Sequence, residues 1–234
     1  MKRISAVLID LVIGLCSSNA ATKPDIKCGP WIQNVGETEV TILWTSQENV
    51  FAWVEVAPDD DTAFEASARS RYYNTVSGRR VAGTSHSVRV TGLEPGQSYR
   101  YRIYGKVVKD DTDPYGIHFG PARRLKTAGD GVFRTLDRNA DSCRFVMLND
   151  IHGNAERYRA LTQGVDSIDL LIMNGDMVSY ITDMETALSS VFGTVPELVA
   201  NVPSVWVRGN HETRGRDAAA MKQYAPTPTG EPYH

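Results

Sequence analysis

The chain lacks a strong excess of charge of either sign. Its 234 residues carry a formal net charge of −3, so composition gives no reason to expect a nucleic acid or an anionic membrane as partner. It also lacks a transmembrane segment, because the apolar run from Ile4 to Leu15 is shorter than the roughly 20 residues that a bilayer requires. Internal repeats and low-complexity stretches are missing too, which leaves one large globular domain or two ordinary ones.

Cysteine is scarce, with three residues in the chain. The first, Cys16, lies in the N-terminal 20 residues, so a protein cleaved after Ala20 would keep only Cys28 and Cys143. These two either pair in an oxidising compartment or remain separate thiols. The cysteine count leaves both interpretations open.

The N-terminus is typical of a secretory signal peptide over residues 1–20. Lys2 and Arg3 form a basic start, an apolar run follows, and Ser18-Asn19-Ala20 resembles a cleavage site of small residues. Asp10 is unusual inside such a run. A lipoprotein signal ending at Cys16 is an alternative, although Leu15 stands where a small residue is expected. We therefore expect an exported protein that is secreted, periplasmic or on the cell surface.

Residues 23–128 have the pattern of a β-sandwich. Short segments alternate apolar and polar residues, and turn-forming residues such as Ser77-Gly78 and Glu94-Pro95-Gly96 separate them. The clearest of these segments are Thr38–Ser46, Phe51–Val56, Ser87–Thr91 and Tyr99–Val108. Strands this short and this regularly spaced predict an antiparallel sandwich of about a hundred residues.

One segment within this region resembles the tyrosine corner of fibronectin type III domains. It runs from Leu93 through Pro95 to Tyr99, and in a tyrosine corner the hydroxyl bonds back to the backbone near the preceding turn. Trp44 is then expected to be a buried core residue of an early strand. The alternative is that Tyr99 is one more aromatic residue in a strand that also contains Tyr101 and Tyr104.

A different pattern begins after residue 141. Residues 129–141, with Gly129 and Gly131, are predicted to form a linker, and residues 142–234 then alternate strands with helices. Helices are predicted over residues 155–165, 183–199 and 217–224 from their apolar periodicity. Pro196 should kink the second helix or restart it.

Three short motifs follow three apolar runs in this second region. The motifs are Asn149–Asn154, Asn174–Asp176 and Arg208–Glu212, and the runs are Phe145–Leu148, Leu170–Met173 and Val205–Val207. An open α/β sheet builds its site outside the carboxyl ends of its strands. The intervals from Asp150 to Asp176 and from Asp176 to Asn210 each leave room for one crossover helix.

The residues in these motifs have the chemistry of a two-metal site. Asp150 and His152 are two positions apart and can grip one ion together. Asp176 offers a carboxylate that can bridge two ions, and Asn210 offers a neutral oxygen to the second. Such a pair can hold a phosphoryl group and lower the pKa of a bound water. His211 need not be a ligand, because as imidazolium it can contact phosphate or protonate a leaving oxygen.

Together these motifs resemble the calcineurin-like metallophosphoesterase superfamily, and the preceding sandwich makes the resemblance that of a purple-acid-phosphatase-type enzyme. The resemblance implies that Asp150, His152 and Asp176 hold the first ion, and that Asp176 and Asn210 hold the second. It also implies that His211 assists the leaving group. The expected fold is a fibronectin type III- or Ig-like β-sandwich followed by the N-terminal half of an α/β (αββα) phosphoesterase domain.

The chain departs from this family in two respects. Purple acid phosphatases carry an iron-ligating tyrosine three residues after the second aspartate, where this chain has Ser179, with Tyr180 one position later. On an extended segment that shift turns the side chain to the other face. We therefore expect a colourless site with Mn, Zn, or Fe together with another divalent ion, and Tyr180 as a shifted ligand is the alternative.

The second departure concerns the histidines that the superfamily carries on later strands. After His211 only the terminal His234 remains, while His86 and His118 lie in the sandwich region. The chain is therefore expected to be a C-terminally truncated fragment that binds metal weakly and catalyses poorly by itself. The alternative is a genuine short product.

The predicted function is that of a secreted, metal-dependent phosphoesterase acting on small phosphate esters, with phosphomonoesters favoured. Arg208, Arg214 and Arg216 are candidates for contact with an anion, although solvated surface arginines would look the same. The alternative function is a non-catalytic binding or adhesion protein with a degenerate phosphoesterase half. The sequence does not predict an oligomeric state.

Overall fold

The computed structural model describes residues 25–125, 131–165 and 167–227. The predicted signal peptide over residues 1–20 and His234 lie outside these ranges. The strands of the first region are β1 Ile26–Gln33, β2 Glu39–Pro58, β3 Ser70–Tyr73, β4 Thr75–Val76, β5 Arg79–Arg80, β6 Ala82–Thr91, β7 Ser98–Asp110, β8 His118–Phe119, β9 Arg123–Arg124 and β10 Gly131–Arg134. The elements of the second region are β11 Phe145–Leu148, α1 Ala155–Thr162, β12 Leu170–Asn174, α2 Met184–Val191, α3 Pro196–Asn201, β13 Ser204–Val207 and a 3₁₀ helix over Ala218–Gln223.

The long strand β2 organises the first region. Its first half pairs with β1 and β6, and its second half pairs with β3 and β7, in every case antiparallel. The predicted strands over residues 38–46 and 51–56 are therefore two halves of one strand. A register shift between Thr45 and Val50 in the pairing with β6 marks the junction, as expected where a bulge bends a strand.

Alternate residues of both halves of β2 meet in one hydrophobic core. Ile42 and Trp44 come from the first half, Val54 comes from the second, and Tyr101 and Ile103 come from β7. Trp44 is fully buried, as predicted. Two groups of antiparallel strands that share one core form the strand-rich sheet domain that the sequence indicates.

The hydrogen bond expected of a tyrosine corner is present. The backbone N–H of Glu94 donates to the hydroxyl oxygen of Tyr99 at 2.8 Å. Tyr99 is largely buried, so the bond fixes the turn before β7 against the core.

Part of the predicted linker over residues 129–141 belongs to the sheet. Residues 131–134 form β10, which pairs antiparallel with β7. A Cβ atom on Gly131 would lie 2.0 Å from the ring of Tyr101, so the glycine allows the strand to pass close to the ring. Phe133, two residues later, is buried in the sandwich core. The glycine that suggested a flexible linker instead permits a close strand contact.

The second region contains a parallel sheet in the order β11-β12-β13. Helix α1 connects the first two strands, and α2 and α3 connect the second and third. Asn154 caps α1 by accepting from Arg157 N–H, and Asp183 caps α2 by accepting from Thr186 N–H. The parallel strands therefore bring their carboxyl ends to one edge of the sheet.

The predicted helices occur with shorter bounds. The segment predicted over residues 183–199 is divided into α2 and α3, and Pro196 is the first residue of α3, where its missing N–H costs nothing. The predicted helix over residues 155–165 ends at Thr162, and the one predicted over residues 217–224 is a 3₁₀ helix. No helix in the described ranges combines the length and hydropathy needed to cross a bilayer.

The two regions share a hydrophobic cluster. Trp31 of β1 stacks on Phe192 with a centroid distance of 4.4 Å, and Cys28 lies in the same cluster. Tyr101 donates its hydroxyl hydrogen to the carbonyl of Ala200 at 2.8 Å. Burial raises the pKa of Cys28 to about 11, while Cys143 is exposed, and both are free thiols. The sandwich therefore packs directly against the helices that position the second sheet.

Candidate metal centre

The three motifs lie in three loops at the carboxyl ends of β11, β12 and β13. The first loop contacts the second through its backbone. His152 N–H donates to Asp176 O at 2.9 Å, and Gly153 N–H donates to Met177 O at 2.7 Å. These backbone hydrogen bonds fix the first loop against the second without help from any side chain.

Three of the predicted ligand residues have left-handed backbones. The φ angles are 56° for Asp150, 53° for His152 and 54° for Asp176. Non-glycine residues rarely adopt this region, and each costs about 1–3 kcal/mol unless the surroundings enforce it. Such residues cluster at functional sites, and these three fall in the first two loops of the candidate site.

Glycine allows the second and third loops to approach each other. A Cβ atom on Gly175 would lie 2.8 Å from the Cα of Gly209, and one on Gly209 would lie 2.3 Å from Asp176 Oδ1. Neither contact is tolerable for a side chain. The glycines of the Gly-Asp and Gly-Asn pairs thus set the distance between Asp176 and the third loop.

Three side chains converge where the loops meet. One ligand atom each from His152, Asp176 and His211 lies within 4.8 Å of the other two. Asp150 is adjacent, with its Oδ1 3.7 Å from His152 Nε2. The rings of His152 and His211 meet edge to face at a centroid distance of 4.5 Å.

The hydrogen bond from His211 to a carbonyl identifies its tautomer. Its Nδ1 lies 2.9 Å from the carbonyl oxygen of Ser179. A carbonyl oxygen only accepts, so Nδ1 carries the hydrogen. Nε2 is then the atom left for a metal, a phosphate or a proton transfer. Histidines that bind metals commonly donate the other ring N–H to a backbone carbonyl in this way.

The Asn210 side chain lies between the Asp176 carboxylate and the Arg214 guanidinium. Its carboxamide satisfies both neighbours when the nitrogen donates to Asp176 Oδ2 at 2.9 Å and the oxygen accepts from Arg214 Nη2 at 2.9 Å. Asp176 Oδ1 accepts from the backbone N–H of His211 at 2.9 Å. All five predicted site residues are therefore gathered at one edge of the sheet, with Asp150 the outermost.

Glu212, a residue of the third motif with no predicted role, joins the second loop to the third through hydrogen bonds. It is fully buried, and its Oε2 accepts from Asp176 N–H at 2.8 Å and from Gly209 N–H at 2.9 Å. Its Oε1 accepts from Met177 N–H at 2.8 Å, and Trp206 Nε1 lies 3.4 Å away. The available sequence signal was a glutamate two residues after the predicted ligand Asn210, within the motif that follows β13.

The other positions that the sequence singled out have different surroundings, apart from the Ser179 carbonyl that faces His211. Ser179 contacts the first loop weakly, with its Oγ 3.5 Å from His152 O, and Tyr180 is 61% exposed. His118 pairs with Asp113 at 2.7 Å on the surface of the sandwich. His86 is buried beside Trp44.

The donor set suits a metal. It combines imidazole nitrogen, carboxylate oxygen and a nearby carboxamide, which are ligands for Zn, Mn and Fe. The carbonyl contact of His211 fixes its ring beside these groups. The residues present therefore fit at least one metal ion at the strand ends.

Comparisons with known proteins identify the families of the two regions. Residues 143–233 match the calcineurin-like phosphoesterase family, and residues 30–118 match the purple acid phosphatase N-terminal domain. No curated protein sequence matches the chain.

Two solved structures share the fold. A purple acid phosphatase isolated from yellow lupin (Lupinus luteus) seeds has 17% identity and a TM-score of 0.57, and the match covers 78% of this chain and 35% of that one. PhoD has 16% identity and a TM-score of 0.54, with 90% of this chain and 47% of that one covered. The chain thus spans less than half the length of either protein. The two matches identify a calcineurin-like phosphoesterase domain over residues 143–233, preceded by a purple acid phosphatase N-terminal domain over residues 30–118.

Proposed function

We propose that the protein hydrolyses phosphate esters, above all phosphomonoesters, by means of a metal-activated water, and that it acts outside the cytoplasm. The observation that carries this proposal is the convergence of His152, Asp176 and His211 ligand atoms within 4.8 Å at the strand ends. The two family matches support the reaction class. The signal-like N-terminus supports the location.

The proposed ligands follow from their places in the three loops. Asp150, His152 and Asp176 would hold one ion, while Asp176 and Asn210 would contribute to a second. When bound, the metals supply Lewis acidity and a water of lowered pKa. Asp176 is shared by the two proposed sites, because one carboxylate can bridge two ions and its Oδ2 lies 2.9 Å from the Asn210 carboxamide.

We assign the leaving-group proton to His211. Its Nδ1–H is engaged by the Ser179 carbonyl, so the ring is held in one orientation, and in the imidazolium form the Nε2–H is the one that can be delivered to the leaving oxygen. The serine at position 179 and the exposed Tyr180 support a colourless centre of Mn, Zn, or Fe with another divalent ion. A strong visible charge-transfer band in the metal-loaded protein would contradict that assignment.

The proposal is tested by metal binding and hydrolysis together. The chain is titrated calorimetrically with Mn²⁺ and Zn²⁺ and assayed with p-nitrophenyl phosphate, as is Asp176→Asn. Losing a charged ligand should weaken metal affinity at least about tenfold and remove any chelator-sensitive hydrolysis.

Asp169→Asn is the matched control, because Asp169 precedes the opposite end of the same strand and accepts from Arg144 N–H. It should leave metal affinity unchanged. Equal affinities for the wild type and Asp176→Asn would refute the metal site, and the non-catalytic binding protein would then be the better description.

A further inference from the structure

The structure separates the three arginines near the third motif. Arg208 turns away from the motif, with Nη2 3.4 Å from the carbonyl of Ala218. Arg216 has a side chain that is 80% exposed and lies 3.8 Å from Asp217. Arg214 alone of the three reaches the candidate ligands, with Nη2 2.9 Å from the Asn210 oxygen and Nη1 3.2 Å from His211 Nδ1.

The second of these contacts is not a hydrogen bond. His211 Nδ1 already donates its hydrogen to the Ser179 carbonyl at 2.9 Å, and a guanidinium has no acceptor. Two donors therefore face each other at 3.2 Å. The Asn210 oxygen accepts from Nη2 of this guanidinium, and Nη1 keeps hydrogens that an anion beside Asn210 could accept.

The backbone holds Arg214 in place. Its N–H donates to His211 O at 3.1 Å, and its carbonyl accepts from Ile181 N–H at 2.7 Å. Gly215 follows with φ of 100°, and a Cβ atom there would lie 2.4 Å from Ile181 O. The arginine is thus anchored to the loop after β12 as well as to its own, although its side chain is exposed.

We propose that Arg214 binds the non-bridging oxygens of the substrate's phosphate group and favours monoesters over diesters. This inference rests on the proposed function. A monoester carries three non-bridging oxygens and a charge near −2 at neutral pH, whereas a diester carries two such oxygens and a charge of −1. A guanidinium fork binds a pair of oxygens bidentately, and only a monoester then keeps a third oxygen for the other groups of the site.

The experiment measures binding of two probes, inorganic phosphate and dimethyl phosphate, by calorimetry of the chain with Mn²⁺ present. Arg214→Gln should weaken phosphate binding about 10- to 100-fold, as loss of a charge-assisted contact does. The same substitution should weaken dimethyl phosphate binding by a smaller factor. Arg214→Lys keeps the charge without the fork and should recover only part of the phosphate affinity.

Arg216→Gln is the matched control and should bind phosphate within twofold of the wild type, and thermal unfolding verifies that each variant is folded. If Arg214→Gln binds phosphate like the wild type, or if Arg216→Gln loses as much, the inference is overturned and the proposed function stands. If the wild type binds Mn²⁺ but not phosphate, the inference alone fails. If the wild type binds neither, the proposed function fails with it.

Discussion

Replacing Glu212 by glutamine tests how the three loops are held together. The side chain keeps its size, so packing is preserved and only one oxygen becomes an amide nitrogen. That oxygen either faces the N–H groups of Asp176 and Gly209 or faces those of Met177 and Trp206. In both cases a donor is placed against donors, because every recorded partner of this carboxylate is an N–H group.

The cost can be estimated from these contacts. Three of the bonds are 2.8–2.9 Å long and end on a fully buried carboxylate. A hydrogen bond to a charged group contributes about 1.5–3 kcal/mol, and a buried donor left unpaired costs about 1–3 kcal/mol. Glu212→Gln breaks one or two of the three, so we expect the free energy of unfolding to fall by about 2–4 kcal/mol. Glu212→Ala, which leaves all three donors unpaired, should cost more.

The assay is urea unfolding combined with native-state amide hydrogen exchange. In the variant, the amides of Asp176, Met177 and Gly209 should lose protection first, since they lose their acceptor. Glu156→Gln is the matched control, because Glu156 is exposed in the first turn of α1 and its change should stay within about 0.5 kcal/mol. Unchanged stability and unchanged protection of these three amides in Glu212→Gln would refute the reasoning.

Two further predictions concern the sandwich. Burial lowers the pKa of His86 from 6.5 to about 4, so between these values the unfolded chain binds a proton that the folded chain does not. The free energy of unfolding should therefore fall as pH drops through this window, by about 3 kcal/mol in all. His86→Phe, which can still stack on Trp44, should reduce the loss measured by urea unfolding at pH 7 and pH 4.5, and an equal loss in both proteins would contradict this. Tyr99→Phe removes the acceptor of Glu94 N–H and should cost about 1–2 kcal/mol, whereas Tyr115→Phe, at a side chain that is 97% exposed, should cost almost nothing in the same assay.

Local pattern was sufficient to predict the element types and the loops of the site. The apolar runs before Asn149, Asn174 and Arg208 became parallel strands, because the strands of a parallel sheet are near-continuous apolar runs and so stand out in sequence. In β11, however, Phe145 is 55% exposed and Met147 is 50% exposed. Pro196 began a new helix, one of the two outcomes that its chemistry allows. The buried Trp44 and the Tyr99 bond also followed from strand alternation and turn residues.

Local sequence pattern could not predict which strands pair with partners that are distant in the chain. The polar residues Gln47, Glu48 and Asn49 suggest a break between two strands, but pairing partners on both sides keep β2 continuous across them. Gly131 suggests a linker, and only the ring of Tyr101 on another strand explains the glycine. The sequence likewise could not single out Arg214 from Arg208 and Arg216, because all three lie near the third motif. Only the contacts of Arg214 with Asn210 and His211 distinguish it from the other two.

The strained backbone of the candidate site explains why the hydrogen bonds of Glu212 matter there. Asp150, His152 and Asp176 each adopt a left-handed conformation, which together costs several kcal/mol, at about 1–3 kcal/mol for each residue. Such strain persists only where surrounding contacts over-determine it, and here the contacts lie within the protein. The first loop is bonded to the second through backbone groups, and the second is bonded to the third through Glu212. These contacts within the chain hold the three loops of the candidate site together. That is why a change at Glu212, which need not touch an ion, should lower metal affinity together with stability.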